Sequence, residues 1–307
     1  MLELKSDIIR ATFTTLGARL VGLEFAGTDC VLGGGTDADI LGGDWTTGAI
    51  AGRIAGRITN SRIEIDGVEY PLAKNFGAHQ LHGGPDNFSI RHWRVEPAEN
   101  ALRFSLHSPD GDQGYPGALD ATAAYAVNGN TLSLELEART NKPTVVNLTN
   151  HAYWNMSGGE TGAFDQLMQI TGGHYLPLSE ELLPSGEIRD VAGTRYDFRE
   201  LRPVGGVYDN CWVLDGPRGA LKHALTLKDG TSGRTMEIWT TEAGIQMYTG
   251  EHWNGIFPGK KGPLPKYGAI AIEPQNLPDA PTHPNFPSAL LRPGEVYRQR
   301  IEWRFSQ

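Results

Sequence analysis

Alternation, broken at short intervals by turns, limits what this chain can fold into more than any other feature. Leu132, Leu134 and Leu136 alternate with Ser133, Glu135 and Glu137, a period of two that belongs to a pleated strand with one buried face. That run meets the preceding one, residues 122–127, across Asn128-Gly129-Asn130. Residues 62–65 and 68–72 flank Asp66-Gly67, a dipeptide suited to a tight hairpin because both turn positions need positive φ. Further strand-like runs occupy 8–14, 19–25, 92–96, 102–107, 221–227, 234–240, 245–250 and 269–273. In the last one, 296–305, Tyr297, Ile301, Trp303 and Phe305 share one face, and Arg298, Arg300, Glu302 and Arg304 share the other. No long amphipathic helix interrupts them, so the chain reads as all-β and antiparallel. Strand patterns resume after the proline-rich stretches 258–265 and 278–287, which makes these ordered loops within a single domain spanning 1–307.

The formal net charge of -9 disfavours nucleic acid and anionic membrane surfaces, both of which repel an acidic protein. No apolar run is long enough to span a bilayer, and the first residues lack the pattern of a signal peptide. The two cysteines, Cys30 and Cys211, form neither a disulfide framework nor a zinc pattern, which fits a reducing, cytoplasmic setting. Asp110-Gly-Asp-Gln-Gly114 begins like a calcium loop but lacks the acid needed further on. His79, His82 and His92 are spread without a matching carboxylate, so no metal is expected. No Walker or dinucleotide glycine motif occurs, and no cofactor is expected.

Several stretches are richer in chemistry than ordinary turns. Residues 147–159 deliver His151 among asparagines, Tyr153 and Trp154, a setting suited to a small polyhydroxylated ligand. A loop whose asparagines bond their own backbone would look the same locally. Arg53 and Arg57 lie four residues apart among small neighbours, and His82 precedes Gly83-Gly84, where a ligand can approach the backbone. Asp209 opens an apolar strand. Glu273 closes another, where burial raises a carboxylate's pKa toward that of a usable base. An ion pair with an arginine is the ordinary alternative for such a glutamate. Trp154, Trp45 and Trp253 could stack on a sugar face or fill the core.

Taken together, five separated motifs resemble the aldose 1-epimerase (galactose mutarotase) family: His-Gln-Leu-His-Gly-Gly at 79–84, Asn-His-Ala-Tyr-Trp-Asn at 150–155, Tyr-Asp-Asn at 208–210, the glutamine strand at 244–250 and the glutamate strand with its loop at 272–287. The resemblance implies a large antiparallel β-sandwich, the galactose mutarotase-like supersandwich, with an open cleft for a monosaccharide. It implies Glu273 as general base and His151 as protonated general acid. Arg57, His82, Asp209 and Gln246 would hold the sugar, with Trp154 beside it. No cofactor or metal is implied, and the protein would act as a monomer or homodimer. The chain departs from the family at Gly56, where many members carry asparagine, and at Pro274. Two rivals remain at this stage. One is an epimerase of sugar phosphates, for which Arg53 and Arg62 would supply cations. The other is a non-catalytic sugar-binding sandwich, which would not need both Glu273 and His151.

Overall fold

A computed structural model describes all residues, 1–307. Two large antiparallel sheets dominate. The larger has nine strands in the order Arg94–Ala98, Ala101–Ser108, Leu119–Asn128, Thr131–Thr140, Tyr297–Ser306, Thr235–Thr240, Lys222–Lys228, Leu167–Ile170, Arg202–Pro203. The smaller has seven, ordered Arg189–Asp190, His174–Tyr175, Asp209–Val213, Gly244–Tyr248, Ile270–Gln275, Tyr153–Trp154, Val31–Leu32. A four-stranded meander at the N-terminus, Leu2 to Asp29, joins the same buried cluster through Phe13, Leu23 and Phe25. The single α-helix is one short segment, Asp37–Leu41, capped by Thr36.

The expected hairpins are present. Arg62–Ile65 pairs with Val68–Pro71 around Asp66 and Gly67, which both take positive φ. Leu119–Asn128 pairs with Thr131–Thr140, longer on both sides than the alternation alone suggested. The calcium-like loop has its acids committed elsewhere: Asp110 pairs with Lys142, and Asp112 with Arg91 at 2.7 Å.

The core lies between the two sheets, and strand alternation decides which residues reach it. From the nine-stranded sheet come Leu132, Leu134, Leu136, Ile301 and Trp303. From the seven-stranded sheet come Ile245, Met247, Ile270, Ile272, Trp154 and Trp212. The residues between these, Gln246, Tyr248, Glu273 and Tyr153, therefore point the other way, into a cavity on the outer face of the smaller sheet.

That alternation corrects one expectation. Trp154 is fully buried and does not line the cavity. Its ring packs 5.8 Å from Trp303 and 6.0 Å from Phe305, filling the space between the sheets. Its neighbour Tyr153 takes the cavity-facing position instead, because successive residues in a strand point to opposite faces. Trp253 is likewise buried, 4.4 Å from Tyr153, while Trp45 does line the cavity.

Candidate functional site

Side chains from widely separated parts of the chain meet in a cavity of about 650 Å³. The adjacent strands Asp209–Val213, Gly244–Tyr248 and Ile270–Gln275 form its floor, with Asp209, Gln246 and Glu273 on the exposed side. Register sets Gln246 directly opposite Glu273. Tyr153 enters from the strand Tyr153–Trp154 of the same sheet and His151 from just before it, while Arg57 and His82 come from the paired segments Arg57–Ile58 and Gln80–Leu81 and the turn that follows. Arg57, His82, His151, Asp209, Gln246 and Glu273, all expected from sequence, converge here.

The hydrogen bonds fix each group's orientation. Arg57 Nη2 donates to Asp209 Oδ2 at 2.9 Å, and its guanidinium lies 4.9 Å from the centre of the Phe76 ring. Gln246 Nε2 donates to the other oxygen, Asp209 Oδ1, at 2.7 Å. Asp209 thus clamps both, and leaves the buried Arg57 Nε without a protein partner. The Gly56 N–H donates to His82 Nδ1 at 3.1 Å. Since Nδ1 accepts, the proton of the neutral ring sits on Nε2, which makes His82 a donor toward the cavity. Burial and then the nearby His151 hold His82 well below its usual pKa, so the ring stays neutral.

The centre of the site is a close pair. His151 Nε2 lies 3.4 Å from Glu273 Oε1, with both side chains almost fully buried. Glu273 Oε2 and His151 Nδ1 have no partner in the protein. Burial raises the Glu273 pKa from 4.5 to about 8, with the Asp209 charge adding to it and Arg57 opposing. Burial lowers His151 to about 4, against the pull of the Asp44 carboxylate. Burial thus pushes each member of the pair toward its neutral form.

Other expectations fall away. Arg53 is buried and donates to Ser108 and the carbonyls of Pro109, Pro116 and Gly117, away from the cavity. Arg62 is exposed and pairs with Glu69 at 3.2 Å. Arg57 is the one basic lysine or arginine lining the cavity, against Asp44, Asp209, Glu251 and Glu273. Neither His79 nor His92 joins the site. A different trio, His82, His151 and Glu273, brings ligand-type atoms within 4.8 Å of one another. The set does not fit a metal ion, because the lone pair of His82 is already used at Nδ1 and its Nε2 carries a proton.

One constellation was missed from sequence. Asp44, in the glycine-bounded segment after the helix, is buried in the cavity wall. It accepts from the Thr46 N–H at 2.9 Å, Thr46 Oγ1 at 2.6 Å, His252 Nε2 at 2.9 Å and Trp253 Nε1 at 2.8 Å. Tyr248 Oη bonds the far nitrogen of His252, Nδ1, at 2.8 Å. Asp44 and His252 are separated by 208 residues, and no local motif marks either.

Comparison with known proteins gives the family of this chain. The family model described as aldose 1-epimerase matches residues 1–304. The galactose mutarotase of Homo sapiens is 36% identical over 320 residues, covering 99% of this chain and 93% of its own. The aldose 1-epimerase of Escherichia coli K12 is 35% identical over 275 residues, covering 84% and 79%. The crystal structure of an aldose epimerase homologue from C. elegans superimposes with a TM-score of 0.94 at 31% identity, over 100% of this chain and 98% of that one. A galactose 1-epimerase from Lactobacillus acidophilus gives 0.87 at 26% identity, over 99% and 93%. With a family match across nearly its whole length, this chain belongs to the aldose 1-epimerase family.

Proposed function

We propose that the protein is a mutarotase, interconverting the α and β anomers of a free aldose such as galactose or glucose, with Glu273 and His151 exchanging protons with the sugar. The observation that carries this reading is the buried pair, 3.4 Å apart, with one atom of each partner left free.

Anomer exchange needs one group at the anomeric hydroxyl and one at the ring oxygen. With Glu273 ionised and His151 protonated, the carboxylate takes the O1 proton while the imidazolium gives one to O5. The C1–O5 bond then breaks and the aldehyde forms. The C1–C2 bond rotates. On closure the protonated Glu273 returns a proton to O1 while neutral His151 takes the one on O5, and the pair is back where it began. Each proton transfer contributes about 10²–10⁴-fold.

The resting state of the empty site, protonated Glu273 with neutral His151, is thus the one that complements the open aldehyde. The ring form calls for the proton to move to His151 first. Arg57 favours this by stabilising the Glu273 anion, and Asp44 by stabilising the imidazolium. Sugar hydroxyls bonded to Glu273 Oε2 add to it. His82 Nε2–H, Arg57 Nε and Gln246 supply polar contacts for the rest of the ring, and Trp45 rather than Trp154 offers an aromatic wall.

A sugar phosphate suits the site less, since its dianion would meet four carboxylates and one already paired arginine. A purely binding sandwich would have no use for a proton-sharing pair held dry at such cost. The two thiols, unpaired and buried, support a reducing compartment such as the cytoplasm. The test is polarimetry of freshly dissolved α-galactose, α-glucose and L-arabinose, with and without protein. Rotation decaying at the spontaneous rate for all three sugars would refute the reading.

A further inference from the structure

Gln275 is fully buried, yet neither its Oε1 nor its Nε2 has a hydrogen-bond partner. A carboxamide buried without partners is costly, and the exceptions in native proteins mark a place for a ligand or a bound water. It lies in the wall of the cavity, two residues after Glu273 on the same strand and hence on the same face.

No protein group caps the amide. Opposite it on the neighbouring strand stands Gly244, where any Cβ would come 2.9 Å from Cys211 Sγ and Leu277 Cδ2. A polar side chain at that opposite position would be the natural partner for the amide, and it is glycine.

We propose that Gln275 is a further substrate-contacting residue, which reads one hydroxyl on the side of the sugar remote from the anomeric carbon. This rests on the mutarotase reading of the site. Two residues of strand advance the chain by about 6.6–6.8 Å, enough to carry a side chain from the anomeric edge of a pyranose toward its far edge. A hydroxyl both donates and accepts, so it matches the two faces of the amide: its proton goes to Oε1 and its lone pair receives Nε2–H. The hydroxyl of the wrong configuration leaves the amide unpaired, and that penalty sets which aldoses are turned over.

The experiment compares wild type with Gln275→Met, which keeps length and removes the polar atoms, on the better parent aldose and on its 2-, 3- and 4-deoxy analogues. The variant should lose about tenfold in kcat/KM on the parent sugar. That loss should vanish on either the 3-deoxy or the 4-deoxy analogue, where wild type is equally impaired, and persist on the 2-deoxy sugar. Melting of the variant should be unchanged or higher, since an unpaired buried amide has been replaced by an apolar chain. An equal loss on the parent and every analogue, no loss on the parent, or a lowered melting temperature would each overturn the proposal. Wild-type protein that turns over no aldose would instead defeat the mutarotase reading itself, so the two failures are distinct.

Discussion

Asp44 and Glu273 are both carboxylates sunk in the wall of one cavity, and they titrate in opposite directions. Burial opposes the charge on each. At Asp44 that penalty is outweighed by hydrogen bonds from His252, Thr46 and Trp253, so it is held well below the usual carboxylate range. At Glu273 one oxygen faces His151 at 3.4 Å and the other faces nothing, so burial prevails and the pKa climbs to about 8. Donors, rather than depth, separate a carboxylate that stays charged from one that can trade a proton near neutrality. The first anchors the wall and the second works.

The largest expected effect comes from erasing the working carboxylate. Glu273→Gln should lower turnover by about 10²–10⁴-fold while the sugar still binds, read by polarimetry and by titration of the bound sugar. Asp44→Asn should cost far less, because Asp44 acts on His151 only through its field. If the two variants lost turnover equally, the division between anchor and worker would be broken.

Stability should respond with opposite signs. The folded-state pKa of Glu273 is raised above its unfolded value. Its contribution is therefore fully present below about 4.5 and is lost as the pH rises to about 8. Glu273→Gln, which does not titrate, should gain on wild type across that window, by on the order of a few kcal/mol, and gain no more above it. Asp44→Asn should instead destabilise by about 1–3 kcal/mol, because buried donors on Trp253 and Thr46 lose their anion. Thermal melts from acid to alkaline pH measure both.

The pH profile sharpens the same contrast. Activity requires one proton on the pair, so kcat/KM should be bell-shaped, with limbs near 4 and 8 that belong to the pair as a unit. Below the window both groups are protonated and no base remains. Above it both are deprotonated and no acid remains. Asp44→Asn should move the acid limb lower, because His151 loses the anion that favours its protonation, and leave the alkaline limb in place. An acid limb that stays put would show that Asp44 exerts no influence on His151.

How much of this was legible in the sequence differs residue by residue. Glu273 could be read because an apolar run with a charged end announces a buried carboxylate, and Asp209 by the mirror of that argument. Trp154 was misjudged because its neighbours in 147–159 are polar, whereas the two-residue period of its strand sends Tyr153 to the cavity and Trp154 to Trp303. The same period, counted onward from Glu273, points to Gln275, a signal that was available and unused. That burial also pushes His151 toward its neutral form was not readable, since it depends on desolvation that only the assembled cavity imposes. Asp44 and His252 were invisible for a different reason: their bond spans 208 residues and neither sits in a motif.

The smallest effect tests whether donors at Asp44 act by number. Thr46→Val removes the hydroxyl that donates to Asp44 Oδ1 at 2.6 Å and leaves the Thr46 N–H, His252 and Trp253 bonds in place. One neutral hydrogen bond is worth about 0.5–1.5 kcal/mol, so the protein should melt slightly lower. Three remaining donors keep Asp44 ionised at neutral pH, so turnover there should stay within about twofold of wild type, as a change of less than about 0.4 kcal/mol in the barrier implies. The stability loss should be full at neutral pH and shrink in acid, where wild type gives up the Asp44 contribution, and Asp44→Asn and Thr46→Val should show it in the same direction by unequal amounts. A Thr46→Val protein as impaired in turnover as Asp44→Asn would mean that the hydroxyl, rather than the charge it holds, is what the cavity needs.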